Sequence, residues 1–282
     1  MPLSRSRLDP NRSSAQNQNR APPLIRRCNV LGVGVSAINP SVALETIGKW
    51  IDYRECHYVC ITGVHGVMES QRDPQLKHIH NRAGLVTPDG MPLVWISRLR
   101  GFRGVDRVYG PDLMLAISGL SAERGFRYFL YGGREGVAEL LSARLRGQFP
   151  GLQVVGTYCP PFRPLTEEED ARVMEMINQS GADIVWVGLS TPKQEHWMAA
   201  HLGKIKAPVM IGVGAAFDIH AGLVLQAPRW MQRFGLEWLF RLLIEPRRLW
   251  RRYLVNNPIF VTLILLQLIG LRRFRFEDGV IP

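Results

Sequence analysis

One carboxylate stands where the chain could place a general base. Asp89 lies in the turn Pro88-Asp89-Gly90, directly after a short apolar segment (85–87) that we predict to be a strand. A carboxylate at the carboxyl end of a strand can project into a cleft and take a proton from an acceptor hydroxyl. Pro-Asp-Gly is also a common reverse-turn sequence, so ordinary turn chemistry is the alternative. His65, which follows the strand predicted at 58–62, is a second candidate base.

Short glycine-rich or polar segments follow five of the predicted strands. Glycine in such turns lets backbone amides approach a phosphate, and the N-terminus of the next helix favours its negative charge. One such turn is ordinary turn chemistry, but five at one edge of a parallel sheet predict a nucleotide or sugar-phosphate site that includes Gly132 and Gly133. The five segments are Thr62-Gly63-Val64-His65, Thr87-Pro88-Asp89-Gly90, Tyr131-Gly132-Gly133, 188–195 and Gly212-Val213-Gly214.

Arginines are the candidate phosphate ligands. Arg107 precedes a predicted helix, where its guanidinium could donate two hydrogen bonds to phosphate oxygens. The alternative is an ion pair with Asp106. Arg241, Arg248 and Arg251 share one helical face if the helix continues through Pro246. Such a cluster suits a diphosphate, and the alternative is a solvated basic stripe.

Several metal, cofactor and nucleophile patterns are absent from the sequence. It has no Walker motif, and Gly32-Val33-Gly34 lacks the third glycine of a dinucleotide fingerprint. No Asp-x-Asp pair, no zinc-type cysteine or histidine spacing and no nucleophile elbow are found. We therefore expect no cofactor and no metal, with phosphate charge neutralised by arginines or helix termini.

The elements that must position these residues alternate between short apolar runs and amphipathic helical segments. This alternation over 28–227, which begins with a strand at 30–35, predicts an α/β fold: a Rossmann-like, mainly parallel sheet covered by helices. Residues 228–282 contain no good strand and are predicted to form a C-terminal helical appendage. Residues 1–27, rich in Arg, Ser, Asn, Gln and Pro, are predicted to be a disordered basic arm.

The charge distribution separates the ends of the chain from its centre. The 282 residues carry a net charge of +11, most of it in 1–27 and 229–252. Arginine and tryptophan beside apolar stretches predict that the appendage contacts a membrane surface; a helical subdomain packed on the core is the alternative. The apolar run 259–271 is too short to span a bilayer. Without a recognisable signal peptide, and with four scattered cysteines, we expect a cytoplasmic protein.

The motifs together resemble the WecG/TagA/CpsF glycosyltransferases, glycosyltransferase family twenty-six. The resemblance extends over about residues 29–255. It rests on Thr87-Pro88-Asp89-Gly90-Met91-Pro92, Arg107-Val108-Tyr109-Gly110-Pro111-Asp112, Tyr131-Gly132-Gly133, Thr191-Pro192-Lys193-Gln194-Glu195, 212–218, 227–231, 235–242 and Glu245-Pro246-Arg247-Arg248.

The resemblance implies a reaction and partners. Members transfer a sugar, often N-acetylmannosamine or its uronic acid, from a UDP donor to a polyprenyl-diphosphate-linked sugar, with inversion and without a required metal. The acceptor lies on the cytoplasmic face of the membrane, so we expect a peripheral protein on the inner face that serves cell-surface polysaccharide synthesis. A homo-oligomer is compatible with the sequence.

The resemblance also implies roles for individual residues. Asp89 would be the general base, Thr62 and Gln194 would line the cleft, and Asp218 would lie near the nucleotide. Arg107 would contact the acceptor or the diphosphate, and Arg241, Arg248 and Arg251 would bind the diphosphate. Many members carry Asn two residues after the cleft threonine. This chain has Val64 there, followed by His65, which becomes the candidate replacement for sugar contacts.

Two other function classes are weighed against the glycosyltransferase. A non-enzymatic nucleotide-binding or nucleic-acid-binding module would use the basic ends, but the neutral body disfavours a broad nucleic-acid face, so we expect no nucleic-acid partner. A soluble sugar-nucleotide enzyme such as an epimerase would need no lipid acceptor. The missing dinucleotide fingerprint and the predicted membrane contact of the C-terminal appendage disfavour such an epimerase.

Overall fold

The structure, a computed structural model, describes residues 25–276 and has a six-stranded parallel sheet at its centre. The strands are β1 (Arg27–Val30), β2 (Val33–Ser36), β3 (His57–Thr62), β4 (Leu85–Pro88), β5 (Arg127–Gly132), β6 (Gln153–Tyr158), β7 (Ile184–Gly188) and β8 (Val209–Gly212). The central sheet has the order β4-β3-β8-β7-β5-β6, and every neighbouring pair is parallel. The predicted α/β, Rossmann-like class is confirmed.

Helices cover both faces of this sheet. In chain order they are α1 (Pro40–Asp52), α2 (Val64–Arg72), α3 (Pro74–Arg82), α4 (Met91–Leu99), α5 (Gly110–Arg124), α6 (Val137–Gln148), α7 (Glu167–Ser180), α8 (Lys193–His201) and α9 (Ala216–His220). One core packs α1, α5, α6 and α9 on the sheet, and a second core packs α2, α3, α4, α7 and α8 on the other face. Because both faces are covered, β7 is apolar along its length, as in Ile184–Val187.

The first strand was predicted wrongly. Instead of one strand at 30–35, β1 and β2 form an antiparallel hairpin whose turn residues Leu31 and Gly32 both have positive φ. That conformation is the one a two-residue hairpin requires. The hairpin lies outside the central sheet and contacts its β4 edge, where the Val86 amide donates to Ser36 Oγ at 3.0 Å. β1 begins at Arg27, and residues 1–24 of the predicted arm lie outside the described residues.

The C-terminal appendage is helical, as predicted. It contains α10 (Arg229–Arg233), α11 (Glu237–Ile244), α12 (Pro246–Trp250), a π-helical segment (Arg251–Val255) and α13 (Asn256–Leu268). Helix α13 packs on the body through Phe260 and Ile264. Gln267, which interrupts the apolar run, bonds the hairpin: its Oε1 accepts from the Leu31 amide at 3.1 Å and its Nε2 donates to Asn29 Oδ1 at 3.1 Å. No helix in residues 25–276 is long and apolar enough to cross a bilayer.

Candidate functional site

Asp89 lies in the turn between β4 and α4, at the carboxyl edge of the sheet. Its amide donates to the Thr62 carbonyl at 3.0 Å, and its Oδ1 accepts from the amide of Gly110, the first residue of α5, at 3.1 Å. No basic side chain of the described residues forms an ion pair with this carboxylate. Burial raises the pKa of Asp89; Arg107 opposes the rise and Glu237 adds to it. A carboxylate with a raised pKa is a stronger base at neutral pH.

Asp89 lines two adjoining cavities of different chemistry. We call the first, of about 150 Å³, the polar cavity and the second, of about 570 Å³, the apolar groove. Besides Asp89, the residues that line both are Ile61, Thr191, Glu237, Arg241 and Arg252. A group bound in one cavity can therefore meet a group bound in the other at this carboxylate.

The polar cavity is built from the strand ends and is closed by the appendage. Gln194 and Asp218 line it, as predicted, together with the backbone of 212–216 and the appendage residue Arg248. Asp218 Oδ1 accepts from Arg134 Nη2 at 3.2 Å. The Gln194 side chain is buried, and its Oε1 has no hydrogen-bond partner. The cavity thus presents a buried acceptor, a carboxylate and arginines, a set suited to a polar, anionic ligand.

The apolar groove runs from Asp89 to the protein surface between α4 and α13. Its walls carry Trp95 and Leu99 of α4, which are 45% and 75% exposed, and Val261, Leu265 and Leu268 of α13. Large exposed apolar side chains rimming a continuous groove are unusual on a soluble protein and mark a binding surface. The α4 wall belongs to the body, whereas the membrane contact predicted from the sequence lay in the appendage.

His65 lies in the first turn of α2 and lines the apolar groove. Burial, with the nearby positive charges of Arg252, Arg72 and Arg241, lowers the pKa of His65 to about 3. The imidazole is therefore neutral at physiological pH and is no proton acceptor of useful strength. Its Nδ1 is buried without a hydrogen-bond partner and lies 3.7 Å from Glu69 Oε1.

Two appendage arginines face Asp89 without acidic partners. Arg241 and Arg252 line both cavities, and among residues 25–276 neither forms an ion pair. The Arg252 Nε is buried with no hydrogen-bond partner; burial, with Arg241 and Arg248 nearby, lowers the pKa of Arg252. Arg248 lines the polar cavity and also pairs with Glu245 at 2.5 Å. Half-buried guanidiniums without an acidic partner lose hydration without compensation, so they indicate an anionic ligand.

Arg251, predicted to bind the diphosphate, lies outside both cavities, and the neighbouring Arg252 lines them instead. Arg251 lines neither cavity; it is exposed, with its guanidinium 5.2 Å from the Trp250 ring centre. The helix does not continue through Pro246 but ends at Ile244, and a π-helical segment begins at Arg251. Because a π turn holds more residues than an α turn, the residue four positions after Arg248 faces the site instead of the residue three positions after it.

Arg107 lines the apolar groove, but its guanidinium is already bonded. Its Nε donates to the Asp89 carbonyl, its Nη2 pairs with Glu237 and its Nη1 donates to Gln232 Oε1 at 3.2 Å. In this structure the guanidinium bridges the body and the appendage, and the contact with the acceptor or the diphosphate stays a prediction. The alternative pair with Asp106 also fails for the side chain, because only the Arg107 backbone amide donates to Asp106.

Thr62, Gly132 and Gly133 support the site without lining either cavity, contrary to prediction. The Thr62 hydroxyl is buried and donates to the Cys60 carbonyl at 3.3 Å. Gly132 has a φ of 118°, and a Cβ there would lie 2.7 Å from the Gly188 backbone. The Gly133 amide donates to the Gly188 carbonyl at 3.0 Å. These glycines let β5 and β7 approach closely at their ends.

Sequence reasoning missed Glu237, which lines both cavities. It accepts from Arg107 and from the Tyr109 hydroxyl, the latter at 3.0 Å. Its motif, Gly-Leu-Glu-Trp, was part of the resemblance, but a single glutamate on an amphipathic helix carries no signal of its partner. Within the described residues no cluster of three His, Cys, Asp or Glu side chains could hold a metal ion.

Comparisons with known proteins show the family of the chain. Residues 28–274 match the family described as "Glycosyl transferase WecG/TagA/CpsF family". An N-acetylglucosaminyldiphosphoundecaprenol N-acetyl-beta-D-mannosaminyltransferase of Bacillus spizizenii is 32% identical over 222 residues, which cover 79% of this chain and 83% of the relative. A protein of the same description from Bacillus subtilis is 29% identical over 220 residues, 74% of this chain and 83% of the relative.

Proposed function

The chain is a glycosyltransferase of the WecG/TagA/CpsF family, and from that premise we propose that it transfers a sugar from a UDP donor to a polyprenyl-diphosphate-linked acceptor sugar. The relatives' names favour N-acetylmannosamine as the sugar and an N-acetylglucosaminyl-diphosphate lipid as the acceptor. A uronic acid or another hexose remains within the proposal. The product would serve cell-surface polysaccharide synthesis.

The observation that carries this proposal is the position of Asp89 on both the polar cavity and the apolar groove. The UDP-sugar would occupy the polar cavity, where Gln194 offers an acceptor and Arg248 a positive charge. The isoprenoid chain of the acceptor would lie in the apolar groove, where burying its methyl and methylene groups is favourable. The acceptor hydroxyl would then meet the anomeric carbon beside Asp89.

The proposed reaction is a single displacement. Asp89 takes the proton from the acceptor hydroxyl, and the oxygen forms a bond to the anomeric carbon. The bond from that carbon to the UDP oxygen breaks, and its electron pair stays on the departing diphosphate. One displacement inverts the anomeric configuration. Arg241 and Arg252 would stabilise the negative charge that develops on the diphosphate, so that no metal ion is required.

Localisation follows from the acceptor. Exposed apolar side chains spread over the appendage beside its arginines, which suits the interface of an anionic bilayer. They include Trp230, Phe234, Leu243, Trp250, Leu254, Ile269 and Leu271. We propose that the protein sits peripherally on the inner face of the cytoplasmic membrane, with the mouth of the groove towards the lipid.

The test is a donor screen with the full chain in detergent. Several UDP-hexoses and UDP-N-acetylmannosamine are each incubated with polyprenyl-diphosphate-linked N-acetylglucosamine, with and without EDTA. The mass of the lipid product is then measured by mass spectrometry. We expect one added sugar that persists in EDTA and has the opposite anomeric configuration by NMR. Loss of transfer in EDTA would overturn metal independence. Conversion of a UDP-sugar without any lipid acceptor would favour an epimerase instead.

A further inference from the structure

A carboxyl group behind the polar cavity has no role in the reaction proposed above. Glu195, in the first turn of α8, is completely buried and lines neither cavity. Within the described part of the chain no basic side chain pairs with it. Its Oε1 accepts from Thr191 Oγ1 at 2.8 Å and from Gln194 Nε2 at 3.1 Å, whereas its Oε2 is buried without a partner.

These surroundings favour the neutral acid. Burial raises the pKa of Glu195; the two hydrogen bonds, its own backbone amide and the charge of His196 lower it and offset only part of the rise. An ionised carboxylate in such a place would cost several kcal/mol, because its Oε2 would lose its hydrogen bonds to water and form no hydrogen bond within the protein in return. A protonated carboxyl still accepts two hydrogen bonds through Oε1.

The neighbour that Glu195 holds is Gln194, whose amide forms part of the cavity wall. Its Nε2 is bonded to Glu195, and its Oε1, on a side chain that is only 3% exposed, has no partner. Gly212 makes room for this amide, because a Cβ there would lie 3.0 Å from Gln194 Cδ. Gly214 lies beside the amide oxygen: a Cβ there would be in ordinary contact with Oε1, at 3.5 Å. Clamped in this way, the amide can offer only its oxygen to a ligand.

We propose that Glu195 is a positioning residue that acts as a neutral acid to fix the Gln194 amide, so that its oxygen accepts a hydrogen bond from an N–H or O–H of the bound sugar nucleotide. Without Glu195 the amide can flip, and its NH₂ group would then face the ligand donor. This inference rests on the proposed function, because it assumes that the polar cavity binds the donor.

The test compares the donor KM and kcat of Glu195 variants on two backgrounds. Glu195→Met keeps the side-chain length but removes the acceptor, so we expect the donor KM to rise about tenfold, the equivalent of one hydrogen bond, with kcat changed less. Glu195→Gln keeps an oxygen for both donors and should stay within about threefold of the wild type. On a Gln194→Ala background, Glu195→Met should add nothing.

Three results would overturn the inference. Glu195→Gln could prove as harmful as Glu195→Met, which would show that the negative charge matters. Glu195→Met could raise the KM equally on the Gln194→Ala background, or leave it unchanged on the wild-type background. Should the Met variant fail to fold by circular dichroism, Glu195→Asp withdraws the carboxyl by one methylene and is expected to show the same KM increase. Absence of transfer by the wild type would overturn the proposed function together with this inference.

Discussion

Arg107, in the loop before α5, forms an ion pair with Glu237, at the start of α11, and so joins the α/β body to the appendage. The same guanidinium donates to the Asp89 carbonyl, and the Tyr109 hydroxyl donates to Glu237. Arg107 therefore connects the appendage to the turn that holds Asp89, the proposed base. Docking of the appendage and the geometry of Asp89 are coupled at this point.

Glu237 is expected to maintain the basicity of Asp89. Arg107 lowers the pKa of Asp89 and Glu237 raises it, so Glu237→Gln should lower that pKa. Because the base must be ionised, the acidic limb of the pH profile of kcat/KM lies at the pKa of Asp89. The limb should move to lower pH in Glu237→Gln, and the plateau should fall because a weaker base remains.

The control for this pH profile is Tyr109→Phe. It removes the other hydrogen bond to Glu237 without changing the charge, so the limb should stay near its wild-type position. A limb that moves equally in both variants would show that docking of the appendage, and not charge, sets the pH dependence.

Asp89→Asn should abolish transfer and leave UDP binding intact. The amide oxygen can still accept from Gly110, so the turn should keep its shape, but an amide takes no proton. Loss of a general base costs about 10²–10⁴-fold in rate. Initial rates and calorimetric UDP binding check this, with Asp52→Asn, in an exposed ion pair with Arg124, as the control. An active Asp89→Asn enzyme would contradict the assignment of the base.

Adjacent arginines provide a matched pair of variants. Arg252→Ala removes a half-buried guanidinium without an ion pair from the site and should lower kcat/KM by about 10²-fold. Arg251→Ala removes an exposed one and should change kcat/KM in detergent by less than about threefold. Each variant loses one positive charge on the same segment, so the difference reports position. The opposite order would restore the role that the resemblance assigned to Arg251.

Gly132→Ala should destabilise the fold rather than alter substrate affinity alone. The new Cβ would meet the Gly188 backbone at 2.7 Å and would impose strain at a φ of 118°, so we expect a loss of at least about 3 kcal/mol in the free energy of unfolding. Gly136 also has a positive φ, but a Cβ there meets nothing within 4 Å. Gly136→Ala should lose only about 1–2 kcal/mol. Denaturant unfolding of both variants measures the difference in their free energies of unfolding. Equal losses would show that the positive φ, and not the contact with Gly188, causes the destabilisation.

Local patterns were sufficient for the fold class and for the position of Asp89, the proposed base, at the carboxyl edge of the sheet. Alternating apolar runs and amphipathic segments predicted the parallel sheet, and the carboxyl ends of parallel strands must meet at one edge, which placed Asp89 and the segment 188–195 together. The cleft positions of Gln194 and Asp218 came from the family resemblance. The hairpin at 27–36 was missed because its turn, Leu31-Gly32, lacks the usual Asn-Gly or Asp-Gly sequence.

Contacts between distant segments were decided only by the tertiary structure. Spacing along a helix selected Arg251, but the break before Pro246 and the π-helical segment turned Arg252 towards the site. Spacing also left the partner of Arg107 open, because an ion pair with Glu237, 130 positions away, depends on how the appendage packs on the body. A one-dimensional pattern determines which face of an element is apolar, whereas the side chains that meet across elements are determined by packing.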